Sequence, residues 1–219
     1  MSGVRKIRLA VLISGRGSNL QAILDQAASG ELPAQIAAVI SNRPGVAGLE
    51  RARKAGVPAL ELDHKNFADR SDFEAALIEL IDHQRPDLVI LAGFMRVLTA
   101  GFTEHYRGRL LNIHPSLLPA YPGLHTHERV LAAGDRVHGC TVHFVTPELD
   151  AGPAVIQARV PVAAGDTPDS LSARVQAWEH RIYPEAIGWF ASGRLRYRDG
   201  SAWLDGARLT EPVQRGDAG

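Results

Sequence analysis

Three features of the chain call for an α/β architecture, a doubly wound and mostly parallel sheet with an antiparallel C-terminal portion. The runs Ile7–Ile13 and Leu88–Ala92 are almost wholly apolar, as strands covered on both faces are. Segments of helical period separate such runs, and strands joined by helices lie parallel through right-handed crossovers. Late in the chain, Gly139–Thr146 and Val155–Val162 are separated only by Pro147–Pro153, which favours antiparallel pairing. The expected organisation is a single domain over residues 1–193, a hairpin over 194–210 and a disordered tail over 211–219.

Composition narrows the function. Lysine plus arginine equals aspartate plus glutamate at 24 each, so no net field draws the chain to nucleic acid or to an anionic membrane. Ligands are then recognised at local sites. The single cysteine, Cys140, excludes an intramolecular disulfide framework and a Cys-rich zinc site. No segment is long and apolar enough to span a bilayer, and Ile7–Ile13 is too short for a secretion signal. A cytoplasmic protein is expected, as monomer or homodimer.

In chain order, Ile7–Ile13 leads into the turn Ser14-Gly15-Arg16-Gly17-Ser18-Asn19, and Leu20, Ile23, Leu24 and Ala27 then recur at helical spacing. Ser18-x-x-Gln21 reads as a capping box and Gly30 as the helix stop. A glycine turn between a strand and a helix start presents free N–H groups and a helix dipole to a phosphate. The turn lacks the third glycine of the dinucleotide fingerprint, which here is Leu20, and the Gly-Lys-Ser/Thr of a P-loop. A tight turn needing glycine for its backbone angles alone is the competing reading.

Ile36–Ser41 is the second strand, Val46–Ala55 a helix and Ala59–Leu62 a short third strand. Ser71-x-x-Glu74 suggests a second capping box, opening a helix with Phe73, Leu77, Ile78 and Ile81 on one face. After Leu88–Ala92, the apolar segment Gly93–Leu98 lies beyond a strand end, either as core or as a surface for a flat ring. Thr126–Ala133 is a short helix. Thr167-Pro168 starts a long one, with Leu171, Val175, Trp178, Ile182, Ala186 and Trp189 as its apolar stripe and Gln176 and Glu179 to one side. Leu195–Tyr197, Asp199-Gly200 and Ala202–Leu204 form the hairpin.

The most informative stretch is Asn112-Ile113-His114-Pro115-Ser116-Leu117-Leu118-Pro119. In a strand, Asn112 and His114 share a face, and Pro115 ends the ladder, so both sit at the carboxyl end, where open parallel sheets hold ligands. The loop between the antiparallel strands adds one acid, Asp150.

These motifs resemble one family. Ile13-Ser14-Gly15-Arg16-Gly17-Ser18-Asn19-Leu20, Leu91-Ala92-Gly93-Phe94-Met95-Arg96, the Asn112–Pro119 segment and Asp150-Ala151-Gly152 are similar, in matching order, to glycinamide ribonucleotide formyltransferases. The Asn112–Pro119 pattern marks the folate-dependent formyltransferase superfamily. The Ser-Gly-x-Gly-Ser-Asn turn and Glu179-His180-x-x-Tyr183-Pro184 point to the purine-pathway branch. The resemblance implies transfer of the formyl group of 10-formyltetrahydrofolate to the amine of glycinamide ribonucleotide, with no metal. It places phosphate contacts at Gly17, Ser18 and Asn19 and further ribonucleotide contacts at Gln176 and Glu179. Folate contacts fall on Arg70, Met95, Arg96, Val97, Leu98, Asn112, Thr146, Pro147, Glu148, Leu149 and Asp150, and the catalytic set on Asn112, His114 and Asp150. Well-known members carry Lys where this chain has Gln176.

The residue types suit that chemistry. Amine attack on a formyl carbon creates an oxyanion, which placed donors stabilise. Asn112 offers its NH₂ and protonated His114 an N–H, with Asp150 as the carboxylate that favours the imidazolium. Cys140 and Ser116 are not expected as nucleophiles, and His125, His127, His138 and His143 read as loop and core histidines rather than metal ligands. The alternatives are a formyltetrahydrofolate hydrolase with water as acceptor, and a non-catalytic nucleotide-binding module.

Overall fold

The computed structural model describes residues 6–216, which fall into two compact units that divide between Leu111 and Asn112. In the first, β1 (Ile7–Ile13) leads through α1 (Ser18–Ser29) to β2 (Ala34–Ser41), and α2 (Ala47–Lys54) leads to β3 (Ala59–Glu61). A 3₁₀ turn at His64–Asn66 precedes α3 (Arg70–His83), β4 (Leu88–Leu91) and α4 (Ala100–His105). The strand order is β4-β1-β2-β3, every ladder parallel. Leu9 to Ile13 are fully buried, as their unbroken apolar run requires.

β5 (Leu110–His114) begins at the end of the first unit and runs into the second. There follow α5 (Thr126–Ala133), β6 (Val137–Phe144), β7 (Ala154–Pro161) and α6 (Pro168–Ala191). β6 and β7 pair antiparallel, with the ladder shifted between Val142 and His143. α6 starts at Thr167 with a capping box to Ser170 and Pro168 in its first turn. β8 (Leu195–Arg198), β9 (Ser201–Leu204) and β10 (Ala207–Arg208) make a separate antiparallel sheet, and β11 (Val213–Gly216) pairs parallel with β7.

Several local expectations are corrected. Neither early capping box forms. Gly17, at φ 71°, is the N-cap of α1, and Gln21 is engaged with Asp25 (2.8 Å) and Arg51 (3.0 Å) instead. Asp69 caps α3 by accepting from the Asp72 N–H at 2.9 Å, so the helix starts before Ser71. Glu74 is turned inward, accepting the Thr99 N–H at 3.0 Å and the Thr99 hydroxyl proton. That contact fixes the N-cap of α4, a helix the sequence did not announce. On α6 the buried position is taken by Glu179, while Trp178 is half-exposed beneath the Arg181 guanidinium.

The expected hairpin gains a third strand. Asp205-Gly206 repeats the Asp199-Gly200 turn, with all four residues at positive φ, the geometry of tight hairpin loops. The expected disorder over 211–219 gives way to β11 over Val213–Gly216, held by the β7 ladder, by Gln214 to Gln157 (3.2 Å) and by Arg215 to Glu185 (2.6 Å). Residues 217–219 lie outside the described residues.

Candidate active site

In the second unit the predicted trio converges on a residue the sequence reading set aside. β5 ends at His114 because Pro115 cannot continue the ladder. The Nε2 of His114 lies 3.0 Å from the Tyr121 carbonyl oxygen, which can only accept, so this nitrogen carries a proton. Its Nδ1 faces Asp150 Oδ2 at 3.5 Å, and both side chains are more than nine-tenths buried. Asp150 is held by the Gly123 N–H at 2.9 Å and sits at φ 52°, a left-handed conformation that Asp and Asn adopt most readily among non-glycine residues. Gly152 is required beside it, since a Cβ there would overlap the Phe144 carbonyl.

His143 joins the other two groups. Its Nδ1 is 2.9 Å from the Phe144 carbonyl and must donate, which leaves Nε2 as a lone-pair acceptor for the Asn112 amide at 3.2 Å. The same Nε2 lies 3.9 Å from Asp150 Oδ1. Burial pushes the His143 imidazole down to about 4, so it is neutral near pH 7 and orients Asn112 without competing as a charged donor. One Asn112 N–H is thereby used and the other remains for a ligand. All of β6 from His138 to Phe144 is buried, so no alternation marks His143 as special in the sequence. The ladder shift at Val142/His143 is what aims it.

His127, His138, Cys140 and Ser116 are otherwise engaged. His138 and His127 contact each other through ring nitrogens at 3.0 Å, with His138 pushed down to about 4 by burial and by the neighbouring His127 and His114. Burial raises the Cys140 thiol well above its ordinary range, and the Ser116 hydroxyl donates to the Ala120 carbonyl at 2.6 Å. Among the described residues no group of three His, Cys, Asp or Glu side chains is arranged to hold a metal ion. Gln176 is half-exposed and Glu179 buried on α6, whereas Thr146 is half-exposed and Pro147, Glu148 and Leu149 are exposed.

In the first unit, two segments at strand ends hold other predicted site residues. After β1, Gly17 approaches Gly48 so closely that a Cβ would stand 2.8 Å from the Gly48 Cα. Glycine is needed there for space as well as for its φ. The first turn of α1 contains no acidic residue, and half-exposed Ser18 and Asn19 open it. After β4, Met95 (61% exposed) and Val97 (52%) turn outward while Leu98 is buried. The Arg96 guanidinium lies over the Phe73 ring at 5.3 Å, and Arg70 is exposed at the start of α3.

The family model described as formyl transferase matches residues 7–187. The chain is 55% identical over 203 residues to the phosphoribosylglycinamide formyltransferase of Escherichia coli, covering 93% of this chain and 96% of that protein. The chain belongs to the phosphoribosylglycinamide formyltransferase family. A solved formyltransferase of that name from Coxiella burnetii superposes with a TM-score of 0.92 at 51% identity, covering 96% and 99% of the two chains. The formyltetrahydrofolate deformylase of Pseudomonas syringae superposes with a TM-score of 0.85 at only 26% identity, and 67% of its length is covered. The fold is thus shared with the hydrolase, and the sequence sides with the transferases. This formyltransferase is an enzyme, and the resemblance read from its motifs holds over both units.

Proposed function

We propose that the enzyme transfers the formyl group of 10-formyltetrahydrofolate to the amine of glycinamide ribonucleotide, with Asn112, His114 and Asp150 as its catalytic residues and His143 orienting Asn112. The convergence of Asn112, His143, Asp150 and His114, with Asn112 hydrogen-bonded to His143 at 3.2 Å and the Asp150 carboxylate 3.5 Å from His114 Nδ1, is the observation that carries this reading. The amine lone pair forms the new C–N bond and the formyl oxygen takes the negative charge. The free Asn112 N–H and the Nδ1–H of protonated His114 stabilise that oxygen. At 3.5 Å the Asp150 contact to Nδ1 is long, which leaves this proton available to an entering oxygen. The folate N10 departs with the C–N10 electron pair, and a proton lost by the amine ends on N10, with Asp150 as the carboxylate suited to carry it.

Gly17, Ser18 and Asn19 are assigned to the ribonucleotide phosphate, received by backbone N–H groups at the start of α1. Gln176 and Glu179 are assigned to the rest of that substrate, with Gln176 contributing hydrogen bonds where a lysine would contribute charge. The exposed Met95 and Val97, with Arg70, Arg96, Leu98 and Thr146–Asp150, are assigned to the folate. The even balance of 24 basic and 24 acidic residues suits a cytoplasmic enzyme of small anionic substrates, acting as monomer or homodimer.

The test is to mix protein with 10-formyltetrahydrofolate, with and without glycinamide ribonucleotide, and to follow folate absorbance. Deformylation is expected only with the ribonucleotide present and without added metal or nucleoside triphosphate. Equal turnover with water alone would reassign the chain to the hydrolases.

A further inference from the structure

Ser14 sits where two ligand segments leave adjacent strands. β1 and β4 are neighbours, and the chain fills the sheet outward from β1 through β2 and β3 before it returns to β4 on the other side. Open parallel sheets hold ligands where strand order reverses in this way. Ser14, only 4% exposed, makes three hydrogen bonds at that point. Its N–H donates to the Gly93 carbonyl at 3.1 Å, its Oγ accepts the Met95 N–H at 2.8 Å, and its hydroxyl proton goes to Asn42 Oδ1 at 2.5 Å. Asn42, 2% exposed at the end of β2, is anchored in turn by His64, whose Nδ1–H donates to the Asn42 carbonyl at 2.8 Å. One buried residue therefore starts the Gly15–Asn19 turn and fixes both Gly93 and Met95 of the segment after β4.

We propose that Ser14 is a positioning residue that couples the binding of the two substrates. The inference rests on the assignment above of the turn to the ribonucleotide and of Met95–Leu98 to the folate. Beyond Gly93 the segment lacks a strand ladder and exposes Met95 and Val97, so a ligand that settles there must restrict backbone freedom. Restricting Met95 restricts Ser14, and Ser14 is the first residue of the turn. The second ligand then meets a site already ordered, which is positive coupling without a large conformational change.

Isothermal titration calorimetry with glycinamide ribonucleotide and tetrahydrofolate tests this, because tetrahydrofolate carries no formyl group and the ternary complex cannot turn over. In the wild type each ligand should tighten the other by about fivefold or more, by the same factor in either order. In Ser14→Ala the factor should fall towards one while each ligand still binds alone, and kcat at saturation of both substrates should change little. If Ser14→Ala fails to fold, Asn42→Ala carries the test, since it strips the hydroxyl of its acceptor, and the same fall is required. A wild-type factor of one, or an undiminished factor in the folded variant, overturns the coupling and leaves the formyltransferase reading intact. A wild type that binds neither ligand removes that reading and this inference together.

Discussion

At the scale of single residues, the proposed chemistry turns on how Asp150 is held. Its φ of 52° and its bond from the Gly123 N–H are both compatible with asparagine, so Asp150→Asn should fold normally. The substitution removes the negative charge that faces His114 Nδ1 at 3.5 Å, and with it the partner that holds this oxyanion donor in place. One oxyanion donor is worth about 3 to 4 kcal/mol, so kcat should fall roughly two to three orders of magnitude with little change in KM. Asp150→Asn and His114→Ala should be strongly non-additive, because both act on one group. If kcat measurements on the double variant gave the product of the two single losses, Asp150 would act independently of His114. Asn112 and His114 were legible as candidates because they share one local motif, and Asp150 because its loop carries the separate Asp150-Ala151-Gly152 motif. His143 was not, because its function depends on a ladder shift and on contacts to Asn112, 31 residues away in the sequence, and to Asp150.

At the scale of elements, the turn after β1 separates folding from binding. Any Cβ at Gly17 meets the Gly48 backbone, so substitution there mixes a structural defect with a binding one. Ser18 offers a cleaner variant. It is the first residue of α1, whose first turn holds no acidic residue, and a carboxylate there should favour the helix by about 0.3 to 1 kcal/mol. The same carboxylate opposes a phosphate dianion. Ser18→Asp is expected to keep or raise Tm while raising KM for glycinamide ribonucleotide at least tenfold, roughly the effect of 1.4 kcal/mol of repulsion, and to leave the folate KM nearly unchanged. Parallel losses for both substrates would show that the turn is not a phosphate site. The strands and most helices of both units were readable from period and turn residues. The two capping boxes were not, since Ser18 and Ser71 fitted the pattern but Gly17 and Asp69 took the caps.

At the scale of the whole molecule, buried histidines set the response to acid. His138 and His143 are each held to about 4 by burial, against an ordinary value of 6.5. Between those values the unfolded chain binds protons that the folded chain does not, so stability is full above about pH 6.5 and falls as pH drops towards 4. The urea midpoint of the wild type should decline over this window, and His138→Gln, which keeps a hydrogen-bonding partner for His127, should flatten the decline. An unchanged slope would mean that His138 takes its proton as easily in the folded chain as in the unfolded one.

The sequence by itself determined the order of the elements, the glycine turn, the helix begun by Thr167-Pro168 and the amide, imidazole and carboxylate of the trio. Each of these is marked by residues within a few positions of one another, the carboxylate by its own Asp150-Ala151-Gly152 stretch. The tertiary structure alone decided which of several competing partners each polar group takes. Glu74 could have capped α3 but lies against Thr99, and Gln21 could have closed a capping box but meets Arg51. Residues 213–216 look like a polar tail until the open edge of β7 accepts them as a strand. Ser14 meets Asn42 after β2 and Met95 after β4, and His143 meets Asn112 of β5 and Asp150 of the loop between β6 and β7. Local preference among such partners is worth about 1 kcal/mol, less than the burial and hydrogen bonding that the assembled fold supplies.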